Sequence, residues 1–221
     1  MAPRRSFATI LDRLEAQHPN AWTELHFTNP YELLVATILS AQCTDARVNQ
    51  VTPGLFARYP SPAALAAATT DELEPLVQPT GFFRAKSRSL LAMAQAVVQK
   101  HGGEIPQDMA ELTSLKGVGR KTAACVQIFT WGHPEIPVDV HVYRVGGRLG
   151  LFPEKASFEL AHDEMLAVTD PADAYELHMN LIRHGREICR PKPRCGECGL
   201  RRMCPWYRRN RPPRVSIRAP R

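Results

Sequence analysis

Apolar residues recur at helical spacing along almost the whole chain. No segment shows a convincing apolar–polar alternation of period two. That rhythm disfavours sheets and points to an all-α protein of many short helices. Phe7, Ile10, Leu11 and Leu14 fall at i, i+3, i+4 and i+7, on one helix face. Asn29-Pro30 reads as an N-cap followed by proline at the first helical position. It opens YELLVATILSAQ, apolar enough to be buried. Thr44 caps a helix that ends near Tyr59-Pro60, Ser61-Pro62 opens a short alanine-rich one, and Asp71 starts another. A long helix is expected from about Arg84 to Lys100, stopped by Gly102-Gly103. Further helices fit 108–114, 119–131, 139–149, 156–169 and 172–184. Prolines and glycines lie between the segments as punctuation.

The length, 221 residues, suits one large domain or two small ones. No run of ~18 apolar residues exists, so no membrane-spanning segment is expected. The first residues, MAPRRSFATILDRLEAQHPN, contain two arginines but no apolar signal core. No secretory signal is read there, and the expected compartment is the cytoplasm. The net charge of +6 is unevenly spread. From Arg183 to Arg221 there are thirteen Lys or Arg and two Glu, a local excess of +11, so the remainder carries −5. A basic block suits a phosphate-binding surface. Its last part, RRNRPPRVSIRAPR after Tyr207, also reads as a solvated, flexible tail.

Within that block stands CRPKPRCGECGLRRMC, with Cys189, Cys195, Cys198 and Cys204 spaced C-x5-C-x2-C-x5-C. An intracellular chain disfavours two disulfides here. Four thiolates satisfy either a tetrahedral zinc or an iron–sulfur cluster, and spacing alone does not choose. Either would lock a segment too short and too charged to fold unaided. The loop between the first two cysteines, RPKPR, carries three positive charges held by two prolines, a stiff basic finger suited to a phosphate. Cys43 and Cys125 lie in apolar stretches and read as small buried hydrophobes.

LKGVGRKTAA, residues 115–124, joins two helices through a tight G-V-G turn. Such a hairpin exposes backbone N–H groups at a helix start, where a DNA phosphate binds without any base being read. Lys121 follows the turn directly, although the chain has only six lysines against 22 arginines. A lysine amine can attack an aldehyde-like carbon to give a Schiff base; an arginine cannot. The plainer alternative is a lysine that pairs with a phosphate. In IPVDVHVYRVGG, Asp139 sits at an expected helix N-cap. It is either a capping aspartate or a carboxylate that takes the lysine's proton or stabilises positive charge on a sugar.

With the G-V-G-R-K turn, the V-D-V-H-V segment and the four cysteines in this order, the chain resembles the endonuclease III family. These are base-excision DNA glycosylases of the helix–hairpin–helix superfamily. The similarity covers about residues 5–207, and its motifs are highly specific in combination. The resemblance implies two all-α lobes with a DNA-facing cleft between them. Residues 22–135 would form a six-helix barrel carrying the hairpin. Residues 1–21 and 136–221 would form the cluster lobe, with 208–221 a flexible basic tail. The resemblance favours a [4Fe–4S] cluster, ligated by Cys189, Cys195, Cys198 and Cys204. It makes Lys121 the Schiff-base nucleophile and Asp139 the essential carboxylate. Gln42, in LSAQCTD, matches a glutamine inserted beside the orphaned base. Phe82, in GFFRAK, falls where a leucine usually wedges between bases. Asp45 and His141 match residues of the lesion pocket. Gly117, Val118, Gly119, Arg120 and Lys192 would contact the DNA backbone. The implied enzyme is a bifunctional glycosylase and abasic-site lyase for oxidised pyrimidines such as thymine glycol. It would be a nucleoid-associated monomer acting on duplex DNA with damaged pyrimidines or abasic sites.

Three positions depart from the family pattern. The first cysteine spacer is five residues rather than the usual six. Phe82 is bulkier than leucine, and Arg84 stands where a shorter polar residue is common. A mismatch thymine glycosylase of the same superfamily is disfavoured by Lys121. Two further rivals remain within reach of the motifs. One is an adenine-specific mismatch glycosylase, which typically lacks the lysine. The other is a non-catalytic DNA-binding module with structural zinc.

Overall fold

The computed structural model of the chain describes residues 4–210 and is helical throughout, with no strand among them. The expected tail from 211 onward lies outside the described residues. No described helix is long and apolar enough to cross a membrane. The chain divides into two compact units. One comprises residues 22–137 with 171–175; the other comprises residues up to 21, 138–170 and 176 onward.

The first unit is built around α2 (Pro30–Leu39). Asn29 caps it by accepting from the Glu32 N–H, with Pro30 at the first helical position, as the sequence suggests. Eight of its ten residues are buried, Tyr31 and Leu33 to Leu39. Each large apolar side chain removed from water contributes about 1.5–3 kcal/mol, so this helix anchors the unit. Around it pack α3 (Asp45–Arg58), α6 (Phe83–His101) and α8 (Arg120–Trp131). The short α4 (Pro62–Ala66) and α5 (Thr70–Val77) lie against α6, and α7 (Met109–Ser114) lies against α8. Thr44 and Ser61 are caps, as expected. The next helix begins earlier than Asp71. Thr69 and Glu72 form a reciprocal capping box, which satisfies two orphan donors at once.

The second unit contains α1 (Arg4–Gln17), α9 (Val140–Leu149), α10 (Phe158–Val168), most of α11 (Ala174–Glu187) and α12 (Pro205–Asn210). The α1 stripe of Phe7, Ile10, Leu11 and Leu14 is buried, as its spacing requires. Arg13 and Gln17 tie α1 to the cysteine segment: Arg13 donates to Gly199 O, and Gln17 to Glu197 O. Helix α12 was not expected. Arg208 and Arg209, read as the start of a flexible tail, lie in it, and Arg209 pairs with Glu154 at 2.8 Å. Cys125 is buried as expected. Cys43 is only half-buried, because it sits in the turn after α2 rather than inside a helix.

Candidate active site and cysteine pocket

In the first unit, Leu115 ends α7, and Gly119 is the N-cap of α8. Gly117 has φ +84°, and a Cβ there would lie 2.9 Å from Ser89 Cβ, so both conformation and space require glycine. Val118 is buried, so this hairpin residue offers only its backbone to a ligand. Gly119 supplies no side chain to cap α8. By helix geometry its first-turn N–H groups have no acceptor within the helix, and their dipole favours an anion. Arg120 and Lys121 follow at once and are exposed.

Two other turns of this unit carry expected site residues. Gln42 (φ +53°) lies between α2 and α3, and Phe82 (φ +48°) between a 3-10 turn, Gln78–Thr80, and α6. Both side chains are exposed, Phe82 by 66%. Its neighbour Phe83 instead packs on the core. Asp45, the first residue of α3, is half-buried. Arg84 is a surface residue, 3.9 Å from Glu74 and over the Phe83 ring.

In the second unit, Asp139 is the N-cap of α9. Its Oδ1 accepts from the N–H groups of His141 (2.8 Å) and Val142 (2.7 Å). His141 is half-buried, and its ring is held by Arg144, whose Nη2 lies 3.0 Å from Nδ1. Arg144 also donates to the carbonyls of Cys189 (2.8 Å) and Gly185 (2.9 Å). One guanidinium therefore joins the His141 ring to the first residue of the cysteine segment.

All four expected ligands line one pocket, walled by Val145, Leu149 and Ile188 on its apolar side. No three His, Cys, Asp or Glu side chains among the described residues converge tightly enough for a single ion. Burial raises the Cys195 and Cys204 thiols above their ordinary range and pushes Cys198 up to about 11, with Cys189 adding to each shift. Four cysteine sulfurs lining one pocket are the donor set that an iron–sulfur cluster takes, so the residues present fit such a group.

Residues absent from the sequence reading complete the pocket. Arg148 donates to Cys189 Sγ at 3.3 Å, to the Arg190 and Pro191 carbonyls, and stacks over Trp206. His184 Nε2 is 3.5 Å from Cys198 Sγ, and its Nδ1 is 3.0 Å from His18 Nε2. Burial and the nearby His18 depress His184 to about 4. The RPKPR finger is less free than its charge suggests. Arg190 and Arg194 direct donors to the Arg186 and Glu187 carbonyls, whereas Lys192 is exposed.

Comparison with known proteins places this arrangement. A family model described as HhH-GPD superfamily base excision DNA repair protein matches residues 35–169. Endonuclease III of Synechocystis sp. is 44% identical over 208 residues, covering 93% of this chain and 94% of that protein. A solved non-covalent endonuclease III–DNA complex superposes with TM-score 0.88 at 36% identity, covering 95% of this chain and 98% of that one. A trapped covalent endonuclease III–DNA intermediate, an estranged-adenine complex, gives TM-score 0.88 at 36% identity, covering 95% and 99%. The chain belongs to the HhH-GPD superfamily of base excision DNA repair proteins, in its endonuclease III family.

Proposed function

We propose that the chain is a bifunctional DNA glycosylase and abasic-site lyase that uses Lys121 as its nucleophile. The activity follows from membership of the endonuclease III family. The observation that carries the residue assignment is the hairpin. An exposed lysine stands one residue inside a helix whose glycine cap leaves its donors for a phosphate.

The reaction begins with extrusion of the damaged nucleotide, since its C1′ is out of reach inside the duplex. Oxidised pyrimidines of the thymine glycol type stack poorly, so extrusion costs least for them. Gln42 and Phe82 fill the gap that extrusion leaves, and Asp45 and His141 contact the extruded base. Gly117, Val118, Gly119 and Arg120 hold the strand by its phosphates, and Lys192 adds a contact of the same kind. The neutral Lys121 amine attacks C1′ and the N-glycosidic bond breaks, the base leaving with a proton. Asp139 stabilises the positive charge on the sugar as this happens. The C1′–O4′ bond then opens to give the Schiff base, and loss of its C2′ proton expels the 3′ phosphate and cuts the strand. The first unit is the hairpin lobe in this reading, and the second is the cluster lobe. A [4Fe–4S] cluster on Cys189, Cys195, Cys198 and Cys204 would cross-link the cysteine segment and takes no part in these steps.

Borohydride reduces a Schiff base to a stable amine, so it should trap the protein on abasic-site DNA. Lys121→Gln should abolish trapping and strand cleavage while DNA binding persists. Peptide mapping of the adduct decides the assignment. An adduct at another amine, or trapping that survives in Lys121→Gln, sinks it.

A further inference from the structure

Lys86 is an unusual residue to find in a core. It is 5% exposed, yet its Nζ meets no carboxylate among the described residues. It donates instead to two backbone carbonyls, Leu39 O and Thr80 O, each at 2.8 Å. Burial lowers its pKa, and the Cys43 thiol partly offsets that. An ammonium is costly to bury, and a methionine of similar length would fill the space without that cost. What the lysine adds is a link between two otherwise separate carbonyls.

Those carbonyls mark the two strained turns of the first unit. Leu39 O is among the last carbonyls of α2, which have no partner within the helix, and Gln42 follows three residues on. Thr80 O ends the 3-10 turn, and Phe82 follows two residues on. The backbone N–H of Lys86 also donates to Phe82 O at 3.0 Å. One residue therefore grips the Phe82 turn on both sides and reaches across to the Gln42 turn. Gln42 and Phe82 are both non-glycine residues in the left-handed region, a conformation that costs backbone strain. Such conformations persist where surrounding bonds over-determine them, and Lys86 supplies bonds to both.

We propose that Lys86 is a positioning residue: its ammonium fastens the Gln42 turn to the Phe82 turn, so that both exposed side chains enter a DNA gap at one fixed spacing. This rests on the reading above that the two side chains fill the space left by the extruded nucleotide. Lys86 touches no DNA itself, so it acts through discrimination between gapped and intact duplex rather than through general affinity.

The test uses the full-length protein and two duplexes. One carries a tetrahydrofuran abasic analogue opposite 2-aminopurine; the other is its undamaged counterpart. Lys86→Met keeps volume and removes both side-chain bonds. It should weaken binding to the analogue duplex by about tenfold, the loss of roughly one buried hydrogen bond. Binding to undamaged duplex should be unchanged, and the 2-aminopurine fluorescence should shift toward that of free duplex. Lys86→Arg retains the donors and should restore most of the discrimination. The double variant Lys86→Met with Phe82→Ala should discriminate no worse than Phe82→Ala alone. If Lys86→Met is too unstable to purify, Lys86→Gln is judged by the same criteria. A folded Lys86 variant lacking both bonds, with full discrimination and wild-type fluorescence, would overturn the proposal. So would uniform loss of affinity for both duplexes. Phe82→Ala and Gln42→Ala are run alongside. If neither alters discrimination, the gap-filling reading itself fails, and that result is separable from the behaviour of Lys86.

Discussion

The Arg144 guanidinium settles the tautomer of His141. Its Nη2 lies 3.0 Å from His141 Nδ1, and a guanidinium nitrogen can only donate. Nδ1 must therefore accept, and the neutral ring carries its proton on Nε2. His141 is then presented as a hydrogen-bond donor, suited to a carbonyl oxygen on an extruded base. Gly185 makes room for the ring: a Cβ there would lie 2.9 Å from His141 Cβ and 3.1 Å from Nδ1. Gly185→Ala should cost about 1–3 kcal/mol through overpacking and slow base removal. Arg144→Met should slow base removal as well, and nitrogen-15 spectra should then show His141 losing its single tautomer. A wild-type tautomer and rate in Arg144→Met would count against this role.

Phe82 is 66% exposed, so Phe82→Ala should change stability by no more than about 0.5 kcal/mol. Its effect should fall on base removal. A drop in melting temperature equivalent to about 3–5 kcal/mol, as for a core phenylalanine, would show that the side chain is structural.

The two phenylalanines show what a sequence can and cannot reveal. GFF identifies a turn before a helix, but not which ring faces water. That depends on the left-handed φ of Phe82, which turns one ring outward and sends Phe83 onto the core. The helices were legible because local rules govern them: Asn29, Thr44 and Ser61 are caps where their side chains dictate. Thr69 was missed in favour of Asp71 because both are capping residues, and only the Glu72 partner decides. Lys86, Arg144, Arg148 and His184 were barely legible. Each makes a contact to a carbonyl or sulfur distant in sequence, which local rules do not reveal. Only their i+3 or i+4 spacing from His141 and Phe82 hints at two of them.

The cysteine pocket predicts a coupled loss. Purified protein should be brown, with broad absorbance near roughly 400 nm from iron–sulfur ligation. Cys198→Ser should lose the colour, stability of the second unit and DNA affinity together, because the segment has little core of its own. Lys192→Ala should keep the colour and flatten the salt dependence of binding, whose slope is about −0.9 per phosphate neutralised. A colourless protein containing zinc, or full DNA affinity without metal, would refute the cluster assignment.

Asp139 performs two tasks that substitution can separate. As the N-cap of α9 it accepts two backbone hydrogen bonds, both through Oδ1. As a carboxylate it is the group assigned to stabilise charge on the sugar. Asparagine caps a helix about as well as aspartate. Asp139→Asn should therefore melt close to wild type while base removal slows by about two to three orders of magnitude, the usual cost of removing one transition-state electrostatic partner. Asp139→Ala loses the cap as well and should be destabilised by a further ~0.5–2 kcal/mol. Both variants should still bind an abasic-analogue duplex. On a preformed abasic site, where no base has to leave, the defect of Asp139→Asn should be smaller than on a damaged base. If Asp139→Asn removes bases at the wild-type rate, Asp139 is a cap and nothing more. If it is as unstable as Asp139→Ala, the slower rate reports a displaced α9 rather than a missing charge.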